Sequence, residues 1–82
     1  MSDVAPTAEA VLEYLIKSIV SDPDSVQIHS SGDDRCVFSV TVADGDMGRV
    51  IGKRGRVANA IRTIVRAAAV ADDAQIDVDF VD

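Results

Sequence analysis

The chain is poor in the residues from which most catalytic and metal sites are built. It has one histidine, His29, and one cysteine, Cys36. An internal disulfide is therefore excluded, as is any metal cage built from several Cys and His ligands. Cys36 opens the apolar run Cys36-Val37-Phe38 and reads as a buried core thiol. His29 sits on the polar face of an alternating segment with no suitably spaced ligand beside it, and reads as a surface residue. There is no tryptophan, and the aromatic residues are Tyr14, Phe38 and Phe80, all on or beside apolar faces. That leaves little from which to build a row of stacking rings. No apolar run approaches the ~18 residues of a membrane span. The start of the chain is acidic and lacks the basic and apolar regions of a secretory signal, so the sequence reads as that of a cytoplasmic protein.

What the chain does have is a globular composition and an uneven distribution of charge. Apolar residues make up 48% and charged residues 27% of the 82 positions, enough apolar content for one small core across residues 1–82. The net charge is −6. Six of the eight basic residues (Arg49, Lys53, Arg54, Arg56, Arg62 and Arg66) fall in one stretch that contains no acid, so that stretch carries +6. The remainder sets Lys17 and Arg35 against all 14 acids and carries −12.

Periodicity predicts the elements. Residues 1–5 read as a loose start, and Pro6 suits the first turn of a helix. Val11, Leu12, Leu15, Ile16 and Ile19 form a three- and four-spaced stripe, with Glu9, Glu13 and Lys17 on another face, and the helix stops at Ser21-Asp22-Pro23-Asp24. Residues 25–31 and 35–43 alternate around the turn Ser31-Gly32-Asp33-Asp34 and read as a hairpin, with Cys36, Phe38, Val40 and Val42 on one face. Asp46 is a candidate cap for a short helix that ends before Gly52. A longer helix runs from Gly55 to about Ala71, with Val57, Ile61, Ile64, Val65 and Ala68 as its buried stripe and Asn59, Arg62 and Arg66 facing outward. Asp72-Asp73 ends it, and residues 75–81 form a last strand with Ile76, Val78 and Phe80 inward. The order is α-β-β-α-α-β, an α+β fold.

Between the second and third helices lies Gly52-Lys53-Arg54-Gly55. The glycines tolerate positive φ and let another backbone come close. The start of the next helix brings unpaired N–H groups and the positive end of its dipole to the same corner. Lys53 and Arg54 are left pointing outward. Small at the contact, rich in donors and positive, this corner suits a phosphodiester backbone.

The segment Gly48-Arg49-Val50-Ile51-Gly52-Lys53-Arg54-Gly55-Arg56, followed by Ala60-Ile61-Arg62, resembles the KhpA family of small stand-alone bacterial KH proteins. A KH domain clamps about four nucleotides with a G-x-x-G loop. The resemblance implies a type II KH domain over the whole chain, with a three-stranded sheet packed against three helices. It makes Gly52 and Gly55 the invariant turn and Lys53 and Arg54 the pair that contacts the RNA backbone. Val50, Ile51, Val57 and Ile61 would supply the apolar surface beneath and beside the nucleotide groove. Ala58 stands where the family usually has a larger aliphatic residue. Arg49 and Arg56 flank the glycines and extend the basic surface. Arg62 and Arg66 either solvate an exposed face or pair with Asp77 or Asp79. The resemblance also implies homodimers, pairing with a KhpB-like KH protein, and RNA-chaperone work linked to cell-wall and cell-length control.

Other classes fare worse. Gly48 to Arg54 is one residue short of a phosphate-binding P-loop and lacks its hydroxyl. One His and one Cys on neighbouring strands provide no catalytic set, so the chain reads as a non-enzyme with no cofactor and no metal. A membrane-surface helix over residues 56–71 lacks Trp or Phe anchors. The remaining rival is a KH-fold dimerisation adaptor with little RNA binding of its own, and the two central cations of the loop weigh against it.

Overall fold

A computed structural model of the chain describes residues 4–32 and 35–81. The order of elements is α1 (Pro6–Ile19), β1 (Gln27–Ser31), β2 (Cys36–Thr41), α2 (Met47–Ile51), α3 (Arg56–Ala71) and β3 (Ile76–Phe80). Short 3-10 turns occupy Pro23–Ser25 and Lys53–Gly55. This is the α-β-β-α-α-β, α+β architecture expected from the sequence. Two members of the expected hairpin turn, Asp33 and Asp34, lie outside the described residues, as do residues 1–3 of the expected loose start.

The sheet runs β1-β2-β3, with β1 and β2 antiparallel and β2 and β3 parallel. The β-branched and aromatic residues of β2 make it the central strand, since its inward set Cys36, Phe38 and Val40 is fully covered. Ile76 and Val78 bury the matching face of β3. The helices close over this face with Leu12, Ile16, Val50, Ala58, Ile61, Val65 and Ala69.

Four expectations are corrected. Ala5 belongs to the core, not to a loose start: it is fully buried and its carbonyl accepts from the Glu9 N–H at 3.0 Å. Glu9, expected with Glu13 and Lys17 on a face away from the apolar stripe, is itself buried, because it lies on the side of α1 that meets Val26 and Ile28. β1 begins at Gln27, since Ser25 is held in a 3-10 turn by hydrogen bonds to the Asp22 carbonyl and carboxylate. In α3 the buried arc is Ala58, Ile61, Val65 and Ala69, and Ile64 is 47% exposed. At about 100° per residue these four positions fall within about 80° of one another, and Ile64 lies about 60° outside that arc.

Two carboxylates tie the elements together. Asp46 stands at the N-cap position of α2 but makes no capping hydrogen bond there. Its buried side chain accepts instead from the Ser21 N–H at 3.1 Å, the Ser21 hydroxyl at 2.7 Å and the Asp22 N–H at 3.1 Å. The end of α1 is thereby fastened to the start of α2. Asp72, past the end of α3, accepts from the Ala8 N–H at 2.9 Å and the Thr7 N–H at 3.2 Å. It caps the first turn of α1 from 64 residues away, which satisfies N–H groups that a helix start leaves free.

The hydrogen bonds from Ser21, chiefly its hydroxyl, hold the Asp46 carboxyl below the ordinary aspartate value. For Asp72, burial pushes upward, but the hydrogen bonds from Ala8 and Thr7 outweigh it and the net shift is down. A carboxylate depressed in the folded state stabilises the fold above the unfolded value of about 3.9. That contribution is lost as pH falls through the lower folded value. Circular-dichroism melts should show a nearly level midpoint from about pH 7 to pH 5 and a steep fall below about pH 4. Asp46→Asn leaves buried donors badly matched. It should lower the midpoint at neutral pH by about 5 °C or more and flatten the acid limb; an unchanged acid limb would remove Asp46 from this role.

Candidate nucleic-acid interface

The loop is built by two helices that meet at Gly52. The Gly52 N–H closes α2 by donating to the Gly48 carbonyl at 2.9 Å. Its φ of 75° and ψ of 176° then turn the chain sharply. The turn is tight against Val57: an ideal Cβ at position 52 would lie 2.7 Å from Val57 Cβ. Gly55 takes left-handed φ 73°, ψ 13° in open space. Its N–H donates to the Gly52 carbonyl at 3.2 Å, and that of Arg56 to the Lys53 carbonyl. None of the turn's hydrogen bonds uses the N–H of Lys53 or Arg54. Arg54 is itself left-handed, with φ 59° and ψ 24°, a conformation that costs a residue with a Cβ about 1 kcal/mol. The turn holds it there and aims the exposed Lys53 and Arg54 side chains away from the core.

The expected site residues separate into three groups. Lys53, Arg54 and Arg56 are exposed and, among the described residues, have no salt bridge or side-chain hydrogen bond. Arg49, exposed at 61%, pairs loosely with Asp46 at 3.6 Å. Val50 is fully buried and Ile61 nearly so, which makes them supports of the loop and not surface. Ile51 and Val57 are half-buried.

On the far side of α3, Arg62 departs from the expected outward position. It is half-buried between α3 and the outer edge of β3. Its Nε donates to the Val78 carbonyl at 3.2 Å and its Nη1 to Asn59 Oδ1 at 3.3 Å. The guanidinium lies over the Phe80 ring, 5.1 Å from the centroid, within cation–π reach. Arg66 takes one of the alternatives left open by the sequence and lies 3.9 Å from Asp77. The contacts of Asp46 and Arg62 join residues distant in the chain, and no local pattern announced them. Ala58 is buried, at 2% exposure.

On its near side α3 shares a mostly apolar groove of about 400 Å³ with α1, lined by Leu15, Ser18, Ile19, Arg56, Val57, Ala60, Ile61 and Ile64. Among the described residues no group of three or more His, Cys, Asp or Glu is placed to hold a metal. No described helix is long and apolar enough to cross a membrane.

A glycine-bracketed basic corner between two helices, set on a β1-β2-β3 sheet with its third strand parallel, defines a type II KH domain. The family model for the KhpA/KhpB KH domain matches residues 9–80, and the chain belongs to that family. It is 43% identical over 72 residues to the RNA-binding protein KhpA of Clostridium acetobutylicum, covering 87% of this chain and 96% of that one. To the RNA-binding protein KhpA of Streptomyces coelicolor it is 48% identical over 60 residues, covering 72% and 76%. A crystal structure of Era from Aquifex aeolicus bound to GDP.AlF4- superposes with a TM-score of 0.64 at 15% identity. That likeness covers 98% of this chain but only 31% of the Era chain, and concerns the fold alone.

The two glycines should differ in tolerance. Gly52→Ala meets both a disallowed φ and the Val57 side chain, and should cost about 2 kcal/mol or more in urea unfolding. Gly55→Ala meets only the conformational cost, about 1 kcal/mol. Equal losses would show that the contact with Val57 relaxes freely.

Proposed function

We propose that this protein is a non-catalytic, single-stranded RNA-binding protein that grips the RNA backbone through Gly52-Lys53-Arg54-Gly55. The observation that carries the reading is the set of three cations around the glycine corner, Lys53, Arg54 and Arg56, none of which has an acidic partner among the described residues. The side chains of Lys17, Arg35, Arg49 and Arg66 are each within 4 Å of a carboxylate. Cations kept free in an acidic protein await an external anion. The free N–H groups of Lys53 and Arg54 add donors at phosphate-contact range. Relatives that carry the name RNA-binding protein KhpA agree with this reading. Arg49, Ile51 and Val57 border the strand; Val50 and Ile61 hold the border in place.

Three phosphate contacts on a single strand give a salt slope of about −2 in log K against log salt. Binding this weak gains from a second copy. The outer face of α3, with Ala60, Ile64, Ala67 and Ala71 beside Leu15 and Ile19 of α1 and with Arg56 at its loop end, suits a second copy of this chain: small side chains admit close helix packing, and one patch serves both partners of a two-fold dimer. Beyond this, the reading extends to RNA-chaperone work in the cytoplasm beside a KhpB-like KH protein, linked to cell-wall and cell-length control.

Changing Lys53 and Arg54 together to Asp should abolish RNA retention on filters and shift the thermal midpoint little, because both side chains are exposed. Undiminished binding by that folded variant would favour the rival reading, a dimerisation adaptor. Ile64→Glu should convert the dimer to a monomer in sedimentation velocity and weaken binding to long RNA about tenfold or more, the loss expected when avidity is removed. A dimer that persists would place the interface elsewhere.

A further inference from the structure

Basic residues also meet at the opposite end of α3, about 15 Å along the helix axis from Arg56. There Arg35, which precedes β2, and Arg66, near the end of α3, converge on Asp77 of β3. With Ala74, Gln75 and Ile76 they line an open cleft of about 320 Å³. Arg35 Nη1 bonds Asp77 Oδ2 at 2.8 Å, while Arg66 reaches Oδ1 only at 3.9 Å. Two guanidinium groups thus share one carboxylate, and the three side chains together keep one positive charge. The Arg35 and Arg66 side chains are both more than half exposed.

The path between this cleft and the Gly52–Gly55 loop is the outer edge of β3. That strand ends the sheet. The Gln75 carbonyl accepts from the Cys36 N–H, and the Val81 N–H donates to the Val40 carbonyl. In a parallel ladder this alternation turns the backbone groups of Ile76, Val78 and Phe80 outward. Arg62 lies midway, on the Val78 carbonyl. A strand that leaves the loop along this edge meets Arg62, stacked on Phe80, and the outward backbone groups of β3 before it reaches Arg66.

We propose that Arg35 and Arg66 form a second phosphate site, which holds an RNA strand that continues past the nucleotides clamped at the loop. The proposal rests on the RNA-binding reading. Asp77 serves as the internal counter-ion, and an arriving phosphodiester takes its place beside Arg66, the looser of the two partners. Strand length is therefore the discriminating variable. A four-nucleotide strand has three phosphates, which the three free cations at the loop already engage, and leaves none for the cleft.

The test is NMR titration of the full chain at low salt with four- and ten-nucleotide oligouridylates. Arg35→Ala combined with Arg66→Ala should weaken ten-mer binding about tenfold and lower its salt slope by about 0.7, the share of the one phosphate held in the cleft. Four-mer binding should stay within about twofold, since its phosphates are all engaged at the loop. Asp77→Asn removes the competing charge and should tighten ten-mer binding about threefold without affecting the four-mer. No misfolded variant could produce that gain, so this arm decides the matter if the double variant fails to fold. Equal losses for both lengths, no loss for the ten-mer, or no gain with Asp77→Asn would overturn the second site and leave the loop reading intact. Inorganic phosphate that shifts the Arg35 and Arg66 amides as strongly as the ten-mer does, at equal ionic strength, would overturn it as a strand site. Wild-type protein that binds neither oligomer would overturn the RNA reading itself.

Discussion

Gly52 packed against Val57 is the contact from which the rest of the site follows. α2 has to stop and α3 has to start within four residues while both stay on the same sheet. The chain can make that corner only where the backbone of α2 comes up against the first turn of α3, and there a Cβ has no room. Once the corner is made, Lys53 and Arg54 lie outside it, and the hydrogen bonds of the turn are spent on the residues around them. The left-handed Arg54 shows how far the turn prevails over local preference.

The acidic side chains do more than set a net charge. Asp46 ties the end of α1 to the start of α2, and Asp72 caps α1 from beyond the end of α3. Each satisfies backbone N–H groups that would otherwise need water. Two of the 14 acids thus hold the helices that carry the loop, and Asp77 draws in the side chains of Arg35 and Arg66. Around Lys53, Arg54 and Arg56 no acid does this among the described residues. The separation of charge along the chain therefore becomes a separation in space: paired cations on the body, free cations at the corner.

Much of this was legible in one dimension. The helix and strand periods, the glycine pair and the acid-free stretch from Arg49 to Arg66 are short-range patterns, and the elements they predict are present with shifted ends. Buried faces were less legible. The expected stripe of Val57, Ile61, Ile64, Val65 and Ala68 placed Ile64 in the core and passed over Ala58 and Ala69, because burial is set by how closely a helix approaches its neighbour and small residues permit the closest approach. Val50 and Ile61, expected as apolar surface of the nucleotide groove, are buried instead.

The sequence by itself determined the order of elements, the position of the corner and the sign of its charge, since each depends on residues within a few positions of one another. Only the tertiary structure decided which of the six clustered cations remain free. Arg62 is drawn onto Val78 and Phe80, Arg66 toward Asp77 and Arg49 toward Asp46. Except for Arg49 and Asp46, those partners lie more than ten positions away along the chain, and they meet because β3 returns beside α3. Among the described residues, what remains unpaired is the part of the cluster that the fold holds beyond the reach of their acids.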